Sequence, residues 1–230
     1  IGVSGGKDST KQAITARDNL GLKCLLVNYQ PDNITDIGIE NIENLKHSGF
    51  DVITIRPNPK IMQKLVKYDF FNYLNPVKAT EFSLYSSAYI IAEKFNIPLV
   101  IQGENPGLTV GTSLTGVGKD SDALKAYQLQ TLSKGFTEYL QIDGISEKDL
   151  FLFHYDVKKL IAQNTKGIWL QYFLKEWSYR GNAEFSLKHG FKGRENFKPE
   201  DIGTYVGFGA LDSDLVHVNQ MLKFIKLGFG

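Results

Sequence analysis

The residues with the clearest capacity for chemistry stand at the start of the chain, where residues 4–9 read SGGKDS. A short apolar run precedes them, and a helical pattern with Ala13, Ile14 and Ala16 follows. This pattern predicts a strand, a glycine turn and a helix N-terminus. Unpaired backbone N–H groups and the positive end of the helix dipole meet at such a turn, so the segment suits an anion such as phosphate.

Each residue type in this SGGKDS loop has a use at an anion site. Gly5 and Gly6 can take positive φ angles and let the backbone approach a ligand closely. Ser4 and Ser9 supply hydroxyl donors, and Lys7 supplies a positive charge. The alternative is a glycine turn that merely starts a helix.

The spacing of the loop differs from that of the G-x-x-x-x-G-K-[ST] phosphate loop. Residues 4–9 instead resemble the SGGxDS loop of the ATP-pyrophosphatase (PP-loop) superfamily. Members of this superfamily cut ATP between the α and β phosphates and adenylate a carbonyl oxygen, and a nitrogen or sulfur nucleophile then displaces AMP. The resemblance therefore implies ATP and Mg²⁺ as cofactors.

Polar residues also follow the apolar run 22–27, which is predicted to be the second strand. Ligands of open α/β sheets bind at the carboxyl ends of strands, so residues 28–32 are a candidate adenine or ribose contact, with Asn28 first among them. A polar loop with Pro31 as the turn former is an equally good interpretation.

A further polar turn, residues 102–106, follows the predicted strand 97–101. Gly103 at a strand end would let the backbone and a nucleotide approach each other. Glu104 and Asn105 could bind magnesium, ribose or a substrate amide. The alternative is a turn with solvated polar residues.

Aromatic and polar residues are combined after a predicted fifth strand at 167–174. Trp177, Tyr179, Arg180 and Asn182 could together hold a sugar, because aromatic faces stack on rings and Arg pairs with carboxylate or phosphate. A single aromatic residue here would be interpreted as packing, so the prediction depends on the combination.

Apolar strands alternate with amphipathic helices, which indicates an α/β fold with an open, doubly wound parallel sheet. An ATP-binding core is expected at residues 1–110, and residues 111–230 are expected to complete the sheet and add a helical substrate-binding region. Residues 108–118 are predicted to be a lid or flexible cover. Helices are predicted over 8–20, 37–49, 61–66, 80–95, 123–132, 146–153, 157–161, 183–189 and 211–227.

Composition argues against several function classes. The 230 residues carry a formal net charge of +1, so no overall field argues for nucleic acid or membrane. Cys24 is the single cysteine and lies in an apolar run, so no disulfide framework can form within the chain. The histidines have no metal-ligand spacing, and Asp212 and Asp214 are interpreted as capping residues of the last helix. With no apolar run of membrane-spanning length, a cytoplasmic setting is expected, and the abrupt ends suggest missing flanking segments.

With these segments placed, the chain is similar to the N-acetyl sugar amidotransferases, on residues 4–9, 102–105, 167–182 and 190–192. These enzymes make acetamidino sugars, including derivatives of pseudaminic acid and of lipopolysaccharide sugars. The resemblance implies an N-acetylated sugar as substrate and a separate glutaminase subunit as the source of ammonia. A homodimer is a possible assembly. The Cys-x-x-Cys pair usual in the family would precede residue 1.

The resemblance also implies roles for the loop residues. Lys7 would neutralise charge, Asp8 would organise the metal or the loop, and Ser9 would act beside them. Gly103, Glu104 and Asn105 are second choices near the nucleotide or the substrate. The pyrophosphate contacts that it implies are Ser4, Gly5, Gly6 and Ser9.

Three other functions are compatible with the loop. A tRNA-modifying PP-loop enzyme, such as a thiolase or lysidine synthetase, should show a basic footprint or a reactive cysteine pair, and neither is present. NAD or GMP synthetase shares the loop but not the later segments. A regulatory module that binds a nucleotide without catalysis would need no intact SGGKDS loop.

Overall fold

The structure is a computed structural model that describes residues 1–103, 122–125, 135–202, 204–209 and 211–228. The strands within these residues are β1 (Gly2–Val3), β2 (Leu25–Tyr29), β3 (Asp51–Ile55), β4 (Leu99–Gln102) and β5 (Lys166–Trp169). The helices are α1 (Lys7–Ile14), α2 (Asp36–His47), α3 (Pro59–Tyr73), α4 (Lys78–Phe95), α5 (Val157–Ala162), α6 (Tyr179–Leu187), α7 (Pro199–Ile202) and α8 (Asp214–Leu227). A π-helical turn at Thr15–Asn19 continues α1.

The described strands pair in parallel and form two small sheets. One sheet has the order β1-β2-β3, and the other pairs β4 with β5. β1 also lies in contact with β4. The predicted α/β class with parallel strands is thereby confirmed, whereas the single doubly wound sheet stays a prediction.

Helices cover both faces of the central strand β2. Leu26 belongs to a buried cluster with Ala13 of α1 and Leu45 of α2. Its neighbour Val27 belongs to a different cluster, with Ala88 of α4. Since consecutive strand residues point to opposite faces, this division explains why β2 reads as a continuous apolar run.

Several strand boundaries differ from the sequence prediction, because pairing partners decide where a strand ends. β4, for example, is Leu99–Gln102 rather than 97–101. β2 begins at Leu25 rather than at residue 22 and continues to Tyr29, which pairs with Ile55 at the end of β3. β5 stops at Trp169, which pairs with the last residue of β4, Gln102. Beyond that point no strand of the described chain continues the ladder, and Leu170–Phe173 forms a 3₁₀ turn instead.

The predicted helices of the first hundred residues are confirmed, as is the helix at 157–161. The later part of the chain departs further. Only a 3₁₀ turn, Glu147–Leu150, lies within the predicted helix 146–153, and α6 starts at Tyr179 rather than at residue 183. The predicted lid at 108–118 lies outside the described residues, and the predicted helix 123–132 is described only at 123–125, which form no helix. None of the described helices is both long and apolar enough to cross a lipid bilayer.

Candidate functional site

The SGGKDS loop connects the end of β1 at Val3 to the start of α1 at Lys7. Gly6 is the N-cap residue and contributes no side-chain cap, so the first N–H groups of α1 point out of the helix without a capping oxygen. Gly5 has a φ of +85°, and a Cβ there would lie 2.8 Å from the carbonyl oxygen of Gly38. Glycine at position 5 is therefore required by both conformation and space.

Hydroxyl groups close the loop on itself. The Ser9 hydroxyl donates to the Gly6 carbonyl oxygen at 3.0 Å and accepts from the Ser4 backbone N–H at 3.4 Å. The Thr10 hydroxyl donates to the same Gly6 oxygen at 3.0 Å. The backbone of the loop is thus braced from within, which keeps the N–H groups of α1 aimed in one direction.

Lys7 is the buried cation of the loop. Its side chain is only 6% exposed, and its ammonium group forms an ion pair with Asp8. The same ammonium group lies 4.0 Å from the centre of the Tyr179 ring in α6. The Lys7 backbone oxygen accepts a hydrogen bond from the Ser186 hydroxyl at 2.6 Å. Helix α6 therefore contacts both the backbone and the ammonium group of Lys7.

Asp8 is held between two partners. One carboxylate oxygen, Oδ2, pairs with Lys7, and the other, Oδ1, accepts a hydrogen bond of 2.6 Å from the amide group of Asn182. The Asp8 side chain is 32% exposed, so solvent or a ligand can still reach it.

Lys11 extends this network one helical turn beyond Lys7. Its ammonium group donates to Asn182 Oδ1 at 2.8 Å and to the Glu176 backbone oxygen at 2.7 Å. It also lies 5.5 Å from the Trp177 ring. Burial lowers the pKa of Lys11, and the negative charges of Glu176 and Asp8 oppose that change.

The predicted sugar-binding residues divide into two groups in the structure. Asn182 is fully buried and binds the loop, and Trp177 lies beside Lys11. Arg180 points to solvent with an 85% exposed side chain and pairs with Glu184, one turn further along α6. The structure therefore brings Asn182 to the loop and Trp177 to Lys11 of α1, and leaves Arg180 at the surface.

Gly103 lies at the end of β4, as predicted, and its surroundings explain the glycine. A Cβ at this position would lie 2.8 Å from Oε1 of Gln12 and 3.8 Å from the Trp177 ring. The Gln12 amide group donates in turn to the backbone of β4 at 2.8 Å. The neighbouring candidates Glu104 and Asn105 lie outside the described residues.

The expected position of Asn28 in a loop is wrong. This residue lies inside β2, is buried, and donates from its amide group to the Val3 oxygen at 2.9 Å and to the Tyr29 oxygen at 3.4 Å. It is one of the residues that line a groove of about 300 Å³. That groove is lined by Asn28, Gln30, Thr54, Arg56 and a face of α2 comprising Ile39, Ile42, Glu43 and Lys46.

Asp212 is a site residue that sequence reasoning missed. Asp214 does lie in the first turn of α8, but Asp212 precedes the N-cap, Ser213, and does not cap the helix. Its backbone packs closely on α2 at Gly38. A Cβ added to Gly38 would lie only 3.1 Å from the Asp212 Cα. Its carboxyl group faces Ser4 of the loop. Burial raises the pKa of this carboxyl group, and the hydrogen bond with Ser4 offsets only part of that rise. The residue as a whole is only partly buried, but its carboxyl group is withdrawn from solvent.

Two basic side chains, Arg194 and His217, lie near Asp212. Arg194 donates to the Gly209 oxygen at 3.1 Å and lies 2.5 Å from Nε2 of His217. The positive charge of Arg194 favours the charged form of Asp212, and burial lowers the pKa of Arg194. No spacing in the sequence pointed to this group, because its members become neighbours only through the fold.

The arrangement as a whole can bind an anion and can present one carboxylate to a cation. Lys7, Lys11 and the start of α1 supply positive charge, and Asp8 supplies the accessible carboxylate. The described residues contain no group of three or more potential metal ligands. No known family model matches this chain, and no curated protein matches it.

Proposed function

We propose that this chain is an ATP-dependent amidotransferase of the PP-loop type that converts the N-acetyl group of a bacterial sugar to an acetamidino group. The observation that carries the proposal is the hydrogen bond of Asn182 to Asp8. It joins the SGGKDS loop, the proposed ATP site, to the segment whose residues indicate a sugar acceptor.

Nucleotide binding is supported by the geometry of the loop. The start of α1 offers uncapped N–H groups and the positive end of the helix dipole to a pyrophosphate group, and Lys7 in the same turn adds a positive charge. The contact of β1 with β4 fits a single doubly wound sheet in the order β3-β2-β1-β4-β5, with the loop at its switch point.

Asp8 suits Mg²⁺ by its chemistry. Mg²⁺ commonly binds one or two carboxylates together with substrate phosphates and water, and Asp8 offers a partly exposed carboxylate beside the proposed phosphate site. When bound with ATP, Mg²⁺ would neutralise phosphate charge. Cytoplasmic location, a glutaminase partner and a homodimer belong to the same proposal.

The proposed reaction has two balanced steps. The acetamido oxygen attacks the α phosphorus, and the bond from that phosphorus to the bridging oxygen breaks, so that pyrophosphate leaves with the electron pair. Ammonia then adds to the activated carbon, and AMP leaves with the former acetamido oxygen. The product is an amidinium group that keeps the nitrogen of ammonia with two of its hydrogens, and the third leaves as a proton.

The residues of the chain would act in this reaction through position and charge. Lys7 and the N–H groups of α1 would stabilise the departing pyrophosphate, and Ser4 and Ser9 would keep the loop in shape. Trp177 would offer a ring face to the sugar. Arg180, whose exposed side chain pairs with Glu184, would have to leave that partner to meet the acceptor from the solvent side.

The test is a product analysis with an isotope label. The protein is incubated with Mg-ATP, ammonium and N-acetylated bacterial sugars that carry ¹⁸O in the acetamido group. The proposal predicts AMP, pyrophosphate, an amidine sugar and the ¹⁸O in AMP, and it predicts that Asp8→Asn abolishes all four.

Other products would point elsewhere. Formation of AMP and pyrophosphate without a changed sugar would support the proposed cleavage of ATP but contradict the sugar as acceptor. The next acceptor to test would then be tRNA. ADP and phosphate would overturn the assignment of the loop.

A further inference from the structure

Asn182 lies where the loop and α6 meet, and both the nitrogen and the oxygen of its amide group form hydrogen bonds there. Its Nδ2 donates to Asp8 Oδ1 at 2.6 Å, and its Oδ1 accepts from Lys11 at 2.8 Å. The side chain is buried, and its backbone N–H donates to the Ser178 oxygen at 2.8 Å. These contacts leave Asn182 no exposed edge with which to bind a sugar.

The direction of these hydrogen bonds fixes the orientation of both partners. The Lys11 ammonium group can only donate, so the oxygen of the Asn182 amide must point toward Lys11. The amide nitrogen must then face Asp8, whose ionised carboxylate can only accept. The carboxylate is consequently turned so that Oδ1 faces Asn182 and Oδ2 faces Lys7.

We propose that Asn182 is a positioning residue that holds the Asp8 carboxylate for Mg-nucleotide, rather than a sugar-binding residue. This inference rests on the proposed function. Tyr179 and Asn182 are three positions apart and share one face of α6. That face holds the two charged residues of the loop, Lys7 through Tyr179 and Asp8 through Asn182.

The proposal has a specific thermodynamic signature. Outer partners that orient a metal-binding carboxylate contribute to metal affinity without touching the metal. Loss of the Asn182 amide should therefore weaken nucleotide binding in the presence of Mg²⁺ much more than in its absence. A residue that only stabilises the fold would weaken both to the same degree.

The experiment is calorimetric titration with α,β-methylene-ATP, which cannot be cut between the α and β phosphates, in Mg²⁺ and again in EDTA. The variants are Asn182→Leu, which keeps most of the side-chain volume, and Asn182→Ala. The matched control is Ser186→Ala, which removes another buried hydrogen bond between α6 and the loop, to the Lys7 backbone. Thermal unfolding of each variant shows that the titrated protein is folded.

For Asn182→Leu and Asn182→Ala, we expect affinity to fall about tenfold in Mg²⁺, and by a much smaller factor in EDTA. For Ser186→Ala we expect equal factors in both. Equal factors for the folded Asn182 variants, or no change, would overturn the positioning role. A wild-type protein that does not bind the nucleotide would instead overturn the proposed function itself, so the two failures are distinguishable.

Discussion

The ammonium group of Lys7 lies 4.0 Å from the centre of the Tyr179 ring, and Asn182, on the same face of α6, donates a hydrogen bond to Asp8. The ring is packed at 5.2 Å against Phe208, and a Cβ on Gly209 would collide with the Tyr179 hydroxyl. Burial raises the pKa of Tyr179, and the negative charge of Asp8 adds to that rise. The ring thus stays neutral and presents its face to the cation.

Replacement of Tyr179 by Leu should release Lys7. Contacts between a cation and a ring contribute about 0.5–2 kcal/mol, so we expect α,β-methylene-ATP to bind roughly twofold to thirtyfold more weakly in EDTA. Tyr179→Phe keeps the ring face and should weaken binding less. Equal losses in the two variants, measured by calorimetric titration, would contradict a role for the ring face.

Asp212 should make anion binding depend on pH. Its buried carboxyl group has a raised pKa, so it takes up a proton at a higher pH than an exposed Asp and removes a negative charge beside Ser4. We expect pyrophosphate to bind more tightly as the pH falls, and Asp212→Asn to lose that part of the dependence. Titrations of both proteins from neutral pH into the acidic range check this, because the protonation of pyrophosphate itself is common to the two. Parallel pH profiles would contradict the prediction.

A second charged group lies away from the loop, where Lys78 at the start of α4 is buried between two carboxylates. Its ammonium group is 3.8 Å from Asp69 and forms an ion pair with Glu138. Asp69 also accepts hydrogen bonds from Tyr139 and from the Ala79 backbone, at 2.8 Å and 3.0 Å. Burial raises the pKa of Asp69 to about 6, although Tyr139 and Lys78 act in the opposite direction.

This raised pKa predicts the sign of a pH effect on stability. Between the unfolded value of 3.8 and about 6, the folded protein binds a proton at Asp69 that the unfolded protein does not. The contribution of Asp69 to stability therefore decreases as the pH rises through this window and stays constant above it. The change corresponds to roughly 2–3 kcal/mol.

Asp69→Asn keeps an acceptor oxygen for Tyr139 and Ala79 but cannot titrate, so it is the reference for this effect. Urea unfolding at pH 4.5 and 7.5 should show wild type losing stability relative to Asp69→Asn on going to the higher pH. A difference between the two proteins that does not change with pH would refute the prediction.

The glycine loop should not tolerate a side chain at position 5. Gly5 has a φ of +85° and Gly21 a φ of +65°, but a Cβ on Gly5 would meet the Gly38 oxygen at 2.8 Å, whereas nothing lies within 4 Å at Gly21. Gly21→Ala should therefore lower the free energy of unfolding by about 1–2 kcal/mol, because alanine is strained only by the left-handed backbone conformation. Gly5→Ala should cost at least about 1 kcal/mol more, because Gly38 must also move. Urea unfolding compares the two, and equal losses would show that the space around Gly5 is not limiting.

Local patterns were sufficient for much of this fold. The glycine turn before α1, the apolar run of β2 and the amphipathic α2 each depend on residues close together in sequence, and each is found near its predicted position. Boundaries were less predictable where pairing decides them. Asn28 belongs to β2 because β3 extends to Ile55, and Trp169 ends β5 because β4 ends at Gln102.

The sequence by itself determined the loop, its helix and its residue types, because an anion-binding turn needs only a strand end, glycines and a helix start. Only the tertiary structure decided which side chains reach that loop. Asn182 and Asp8 are 174 positions apart, and Asp212 approaches Ser4 from the other end of the chain. These contacts form because α6 packs on α1 and the segment before α8 packs on α2. A local sequence pattern does not indicate which buried faces will pack together.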